Sequence, residues 1–323
     1  MIKPFLKWAG GKGKIAKDIV QILDDHEKEW FPEGKQRYFE PFFGGGALCF
    51  YLISSGKITK EMARISDLEP SLVNCLKVLK NKSQRKKLIS ELMKLEQDYH
   101  TEQRINGMIA ENADKRKERM YYKQREKLRS IQRKTTQVED EGDINWAAVT
   151  IFLNKTCFNG LWRVNSSREF NVPEGRYKMP KICQKEVLNS VGDALSKFDN
   201  ISHQSYKDAL ICHVKEGDLI YLDPPYLPLK IGDYVFNDYT EAPFDEEQQK
   251  ELADIAAECV SRGAKVVASN NYLADRIESI YKEACKEKNV PEPEFEKIPI
   301  TRTMSSIGKD RVEIVEVLIL MHP

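Results

Sequence analysis

The chain has 323 residues, 41% hydrophobic and 31% charged, enough apolar mass for one large domain or two moderate ones and the charge of a soluble protein. No window reaches the roughly 18 uninterrupted apolar residues of a membrane span, and Met1-Ile2-Lys3-Pro4 opens no signal peptide, so a cytoplasmic protein is expected. Seven scattered cysteines (Cys49, Cys75, Cys157, Cys183, Cys212, Cys259, Cys285) contain no CxxC pair, which argues for reduced thiols and against a disulfide framework or a zinc site.

In chain order, Phe5 to Leu79 alternates glycine-rich turns with short apolar and helical patterns. Gly13 to Leu23 is predicted helical, with Ile15, Ile19, Ile22 and Leu23 on one face. Arg37 to Glu40 reads as a strand running into Pro41-Phe42-Phe43-Gly44-Gly45-Gly46, followed by a helix from Ala47 to Ser54. Ala63 to Asp67 is a second strand with an acid at its end. From Lys82 to Thr135 the composition changes: proline is absent, and Leu88, Leu92 and Leu95 recur at helical spacing, which predicts a helical insertion. The net charge of the whole chain is only +1, yet Lys82 to Lys134 holds 16 Lys and Arg against 8 Asp and Glu. A local excess of this kind suits either a solvated helix face or a nucleic-acid contact. Thr136 to Asp143 is a polar break, Ala147 to Leu153 is apolar, and Asn154 to Tyr177 is loop-like and rich in Asn, Arg and aromatics. After Pro180 the α/β rhythm returns, with strands at Asp218 to Leu222, Ala264 to Asn270 and Ile314 to Leu320 and a helix at Glu246 to Cys259.

Three motifs carry chemistry. Asp223-Pro224-Pro225-Tyr226 ends an apolar run that reads as a buried parallel strand, which places it at the strand edge where open α/β sheets bind ligands. The prolines exclude helix and stiffen the loop. A carboxylate, a rigid carbonyl and a stacking ring suit a planar, amino-substituted base, so methylation of a nucleobase amino group is the reading. The glycine turn at Gly44 to Gly46 joins a strand to a helix, and Asp67 lies 23 positions after Gly44, close to the spacing of a carboxylate that reaches ribose hydroxyls. That pairing fits a nucleoside-containing cofactor without separating NAD from S-adenosylmethionine. Phe5-Leu6-Lys7-Trp8-Ala9-Gly10-Gly11-Lys12 is not a phosphate-binding P-loop, because Trp8 stands at the required glycine and Ile15 at the required Ser/Thr.

These segments, in this order, resemble the DNA adenine-N6 methyltransferases of the Dam type, the alpha group or D12 class. The resemblance covers Phe5 to Lys12, Phe42 to Gly46, Asn154 to Asn165, Glu169 to Tyr177, Asp223 to Tyr226 and Ser305-Ser306, nearly the whole chain. It implies a Rossmann-like S-adenosylmethionine-dependent methyltransferase sheet with an inserted, mainly helical target-recognition domain. The corresponding division is 1-75 and 186-323 for the catalytic domain and 76-185 for target recognition. It further implies S-adenosylmethionine as methyl donor with no metal, and contacts to it from Trp8, Lys12, Phe42, Gly44, Gly46, Asp67 and Asp223. Asp223, Pro224, Pro225 and Tyr226 would hold the flipped adenine; Lys7, Asn159, Leu161, Arg163 and Tyr177 would touch double-stranded DNA, within GATC. The alternative is methylation of an RNA adenine or a protein amide in the same pocket. A bacterial or phage enzyme is implied, paired in restriction-modification members with an endonuclease. Trp162, the extra glycine of the turn and the long insertion depart from the family pattern and bear on the recognition sequence more than on the cofactor.

Overall fold

The computed structural model describes residues 1–27, 29–31, 36–106, 117–135, 137–227, 244–271, 274–303 and 311–323. Ser305 and Ser306 lie outside these. Among the described residues, seven strands form one sheet: β1 (Tyr38–Glu40), β2 (Ala63–Asp67), β3 (Asn200–His203), β4 (Leu219–Leu222), β5 (Lys265–Asn271), β6 (Glu294–Thr303) and β7 (Arg311–Met321). Their order is β3-β2-β1-β4-β5-β7-β6. The first five are parallel, and β7 is antiparallel to both β5 and β6. The chain leaves β1 toward β2 and β3 on one side and reaches β4 and β5 on the other. The crevice at the carboxyl ends of β1 and β4 is therefore the topological switch point, the place where such sheets bind ligands.

Successive residues of each strand point to opposite faces, and both faces are covered. Tyr38, Leu219, Tyr221, Leu318 and Leu320 enter one apolar cluster, whereas Phe39, Ile220, Leu222, Ile319 and Met321 enter the other. The runs read as strands are near-continuously apolar because neither side meets water. The first cluster is packed by α1 (Ala16–Asp25), α2 (Ala47–Ser54), α3 (Pro70–Lys80), α4 (Lys82–Asn106), α5 (Met120–Lys134), α6 (Ile144–Thr156) and α7 (Lys185–Leu195); the second is packed by α8 (Tyr206–Ile211), α9 (Glu246–Ser261) and α10 (Ala274–Glu287). Of the predicted face, Ile15 just before α1 and Ile19 and Leu23 within it are buried in the core, Ile22 is half-buried, and Val20 joins them. Leu88, Leu92, Tyr99, Tyr121 and Leu128 of the insertion are buried in the same cluster as Ile65 and Leu72. The described residues of this segment are mainly helical, in α4 and α5, and they rest against α3 and α6.

Five elements were not anticipated, β3, β6, α7, α8 and α10, and the apolar run Ala147 to Leu153 proves to be part of helix α6, which also takes in Asn154, read as loop. Both strands are outermost in the sheet, where one side meets water and apolar content falls. Asn200-Ile201-Ser202-His203 has one apolar residue, and β6 carries Pro299 with charged residues between its apolar ones, features of an edge strand.

Candidate active site

β1 ends at Glu40 and turns through Pro41 to Gly46 into α2. Two positions of this turn require glycine. Gly44 has φ +49 and a Cβ there would stand 2.8 Å from Trp8 Cδ1; Gly46 has φ +66 and its Cβ would stand 2.2 Å from Phe43 Cζ. Both conformations disfavour a side chain, and the approaching atoms belong to the protein's own rings. The Gly44 amide donates to Asp67 Oδ2 at 2.8 Å, and the Glu69 amide donates to Asp67 Oδ1 at 2.9 Å. Asp67 is thus held at the end of β2 beside the turn. Burial pushes its carboxyl up, while these amides and the nearby His203 oppose that. Glu69 caps α3 by accepting from the Ser71 amide at 3.0 Å; burial pushes it up to about 7. Phe42 lies apart from this group, stacked on Tyr206 at 5.3 Å and edge-on to Phe244 at 6.0 Å.

Across the switch point, Asp223 follows β4 and meets Lys12, brought there by the short 3₁₀ turn Lys12–Lys14. Lys12 Nζ donates to both carboxylate oxygens, at 2.6 and 2.8 Å, and to the Gly10 carbonyl at 2.9 Å. It also lies 3.4 Å from Glu316 Oε1 on β7 and 5.0 Å from the Tyr226 ring centre. The Tyr226 hydroxyl stands 3.0 Å from Asp223 Oδ1 and 2.8 Å from Glu316 Oε1, so its one proton serves either acid. Burial and these two acids together push the Tyr226 phenol well above its usual range. Glu40 is fully buried, accepts from Tyr38 Oη at 2.8 Å, and is pushed up to about 8 by burial despite that bond.

The loop after Asp223 is fixed from behind. Gln249 donates to the Pro225 carbonyl at 3.0 Å and Asn271 to the Leu227 carbonyl at 3.2 Å, while Asn270 orients Gln249. Among the described residues no donor of this kind reaches the Pro224 carbonyl.

The Asn154 to Tyr177 segment sits beside the Trp8 strap. Asn154, wholly buried on α6, accepts from the Lys7 amide at 2.9 Å and donates to the Lys7 carbonyl at 2.8 Å. Lys7 Nζ donates to Tyr177 Oη at 3.3 Å and lies 4.4 Å over the Tyr177 ring. Trp162 is wholly buried, stacked 6.1 Å from Trp8 and tilted 4.8 Å from Phe170. The departure noted in the sequence is therefore a core ring that seats the loop. Asn159, with φ 53, is exposed at the tip, and Leu161 is half-buried. Arg163 is half-buried and donates to Asn171 Oδ1 at 2.8 Å. Phe158, 40% exposed next to Asn159, was passed over; a large ring at the tip of a polar loop is its signal.

α4 and α5 hold this loop. Gln103 donates to the Tyr177 carbonyl, Tyr121 to the Val172 carbonyl and Arg129 to the Phe170 carbonyl. Arg119 pairs with Glu174 at 3.2 Å and Arg133 with Glu169 at 2.5 Å. Three of the insertion's 16 basic residues, Arg119, Arg129 and Arg133, thus face the protein's own loop. Glu316 and Glu40 were also missed as site groups; an acid inside an apolar strand, or at a strand's carboxyl end, is the signal both carry.

A profile of the D12 class N6 adenine-specific DNA methyltransferases matches residues 8–298. The chain is 37% identical over 280 residues to the type II methyltransferase M.MjaIII of Methanocaldococcus jannaschii, covering 87% of this chain and 88% of that one. It is 30% identical over 318 residues to the type II methyltransferase M1.LlaDCHI of Lactococcus lactis subsp. cremoris, covering 98% and 95%. With the DNA adenine methylase of Escherichia coli (strain K12) it shares 27% identity over 321 residues, covering 99% and 96%.

Proposed function

The chain belongs to the D12 class of N6 adenine-specific DNA methyltransferases, and from that premise we propose that it methylates N6 of an adenine extruded from duplex DNA, within GATC, using S-adenosylmethionine. The observation that carries this reading is the meeting of three groups of residues at one sheet edge. The Gly44–Asp67 pair and the Asp223 to Tyr226 loop flank the switch point, and Asn154 joins the recognition loop to the strap bearing Trp8 and Lys12.

The residues present fit the donor. Both Asp67 oxygens already accept one amide each, and each keeps a lone pair for a ribose hydroxyl. The acids around Lys12 make a setting that tolerates a sulfonium. S-adenosylmethionine, when bound, supplies a methyl group on that positively charged sulfur. The protein's part is to hold the base and raise the nucleophilicity of an amine whose lone pair is delocalised into the ring. The Asp223 carboxylate and the Pro224 carbonyl accept the two N6 hydrogens, which favours a pyramidal nitrogen and stabilises the positive charge developing on it. Tyr226 stacks on the extruded base, worth about 1–3 kcal/mol, and extrusion gives access to an atom hidden in the duplex. Transfer is direct and in line, with the proton leaving through water.

Residues 76–185 act as the recognition domain, with Asn159, Leu161, Arg163 and Tyr177 facing DNA beside Lys7 of the catalytic part, and Arg163 reading a guanine. The type II names of two relatives support a partner endonuclease. A bacterial or phage enzyme acting in the cytoplasm fits this role. The test is methyl transfer from labelled S-adenosylmethionine to unmethylated duplex DNA, RNA and protein offered separately. Label released from DNA as N6-methyladenine is expected; label only in RNA or protein would overturn the proposal.

A further inference from the structure

In the reading above Glu316 contributes only negative charge near Lys12 and has no contact of its own with the base. It interrupts the apolar run of β7 and is 1% exposed. It shares two donors with Asp223. The Lys12 ammonium lies 2.6 Å from Asp223 and 3.4 Å from Glu316, and the Tyr226 hydroxyl lies 3.0 Å from one and 2.8 Å from the other. Burial pushes the carboxyl of Glu40, at the end of β1, up to about 8, which weakens it as a counter-charge for Lys12. A buried ionic group costs more than an apolar side chain of similar size, so its position calls for a reason.

We propose that Glu316 is a positioning residue: it is the second seat for Lys12, taken when the Asp223 carboxylate turns to the adenine amino group. The inference rests on the proposed role of Asp223. Both Asp223 oxygens are engaged by Lys12, whereas N6 needs one of them. Lys12 is 4% exposed, and leaving it unpaired there is strongly unfavourable. With Glu316 beside it, a shift of the ammonium keeps it paired throughout and releases Asp223. Tyr226 keeps an acceptor in both arrangements, and no proton changes owner.

The test is Glu316→Gln, which removes the charge and keeps the shape. Single-turnover methylation at saturating DNA and donor is expected to fall about 10- to 100-fold, the weight of one charge-assisted hydrogen bond. Affinities for duplex and for the non-reactive donor analogue sinefungin are expected to change less than about threefold. With sinefungin present, the preference for a target adenine over purine, which lacks the amino group, falls about tenfold. In a Lys12→Met background the same substitution is expected to be neutral or to restore some rate, because it removes repulsion between two facing acids. Wild-type rate in Glu316→Gln, or an equal loss in both backgrounds, would overturn the inference. Should the single variant lose duplex binding, the double variant decides: the rate of Lys12→Met alone supports the second seat, and a further tenfold loss refutes it. Failure of the unaltered enzyme to methylate adenine N6 would instead sink the reading of Asp223.

Discussion

The edge around Asp223 and the loop around Arg163 are organised in opposite ways. At the edge, a 3₁₀ turn, the loop after β4 and the long strand β7 deliver a few groups into a buried cluster in which each partner is charged or shared: Lys12, Asp223, Tyr226 and Glu316. The loop from Cys157 to Tyr177 has almost no regular pairing, with isolated bridges at Cys157–Glu174 and Val164–Phe170. Its shape is imposed from behind, by side chains of α4, α5 and α6 that bond its carbonyls and acids. A network of the first kind fixes a geometry that chemistry needs. A surface of the second kind is free to change its outward residues without disturbing the scaffold.

The sharpest way to break that contrast is Asp223→Ala. Turnover is expected to fall by about a thousandfold or more, the scale of losing a preorganised electrostatic partner, while duplex affinity stays near that of the unaltered enzyme. Methylation at an ordinary rate would remove the carboxylate from the mechanism. Next comes the hinge between the regions. Asn154→Ala strips two bonds from the Lys7 backbone in a buried setting and is expected to lower unfolding free energy by about 2–4 kcal/mol, measured by urea titration. An unchanged midpoint would mean that the clasp is redundant.

Arg163→Ala should leave the fold and the chemistry intact and relax discrimination at one base pair by about 1–3 kcal/mol. Relative kcat/KM on duplexes with single substitutions measures this, and unchanged selectivity at every position would refute the assignment. The smallest effect concerns pH. Burial raises Glu40 to about 8 and Glu69 to about 7, from 4.5. Between these limits the folded chain binds protons that the unfolded chain has released, so this contribution is full below 4.5 and is lost as pH rises. Glu40→Gln is expected to flatten the decline between about pH 5 and pH 8 by up to about 1.4 kcal/mol per pH unit. Equal slopes for the two proteins between pH 7 and 8 would contradict a protonated Glu40.

The same contrast sets what the sequence reveals. The edge is written in local runs: Leu219 to Leu222 followed by two prolines, Ala63 to Asp67, and a glycine turn into Ala47, each legible because a buried strand or a tight turn restricts composition. What the sequence hides is long-range pairing. The acids in the middle of β7 and at the end of β1 gain meaning only when the sheet brings them to Lys12. Likewise, the charges of the insertion look free until Arg119, Arg129 and Arg133 meet Glu174, Phe170 and Glu169. Edge strands β3 and β6 escape notice because half their surroundings are water.

The most direct test of the central claim is a base-resolution map of modified positions left on unmethylated duplex DNA by the unaltered enzyme and by Asp223→Ala. The account predicts N6-methyladenine at GATC from the first and none from the second. Equal marking by the two, or marks on a base other than adenine, would contradict it.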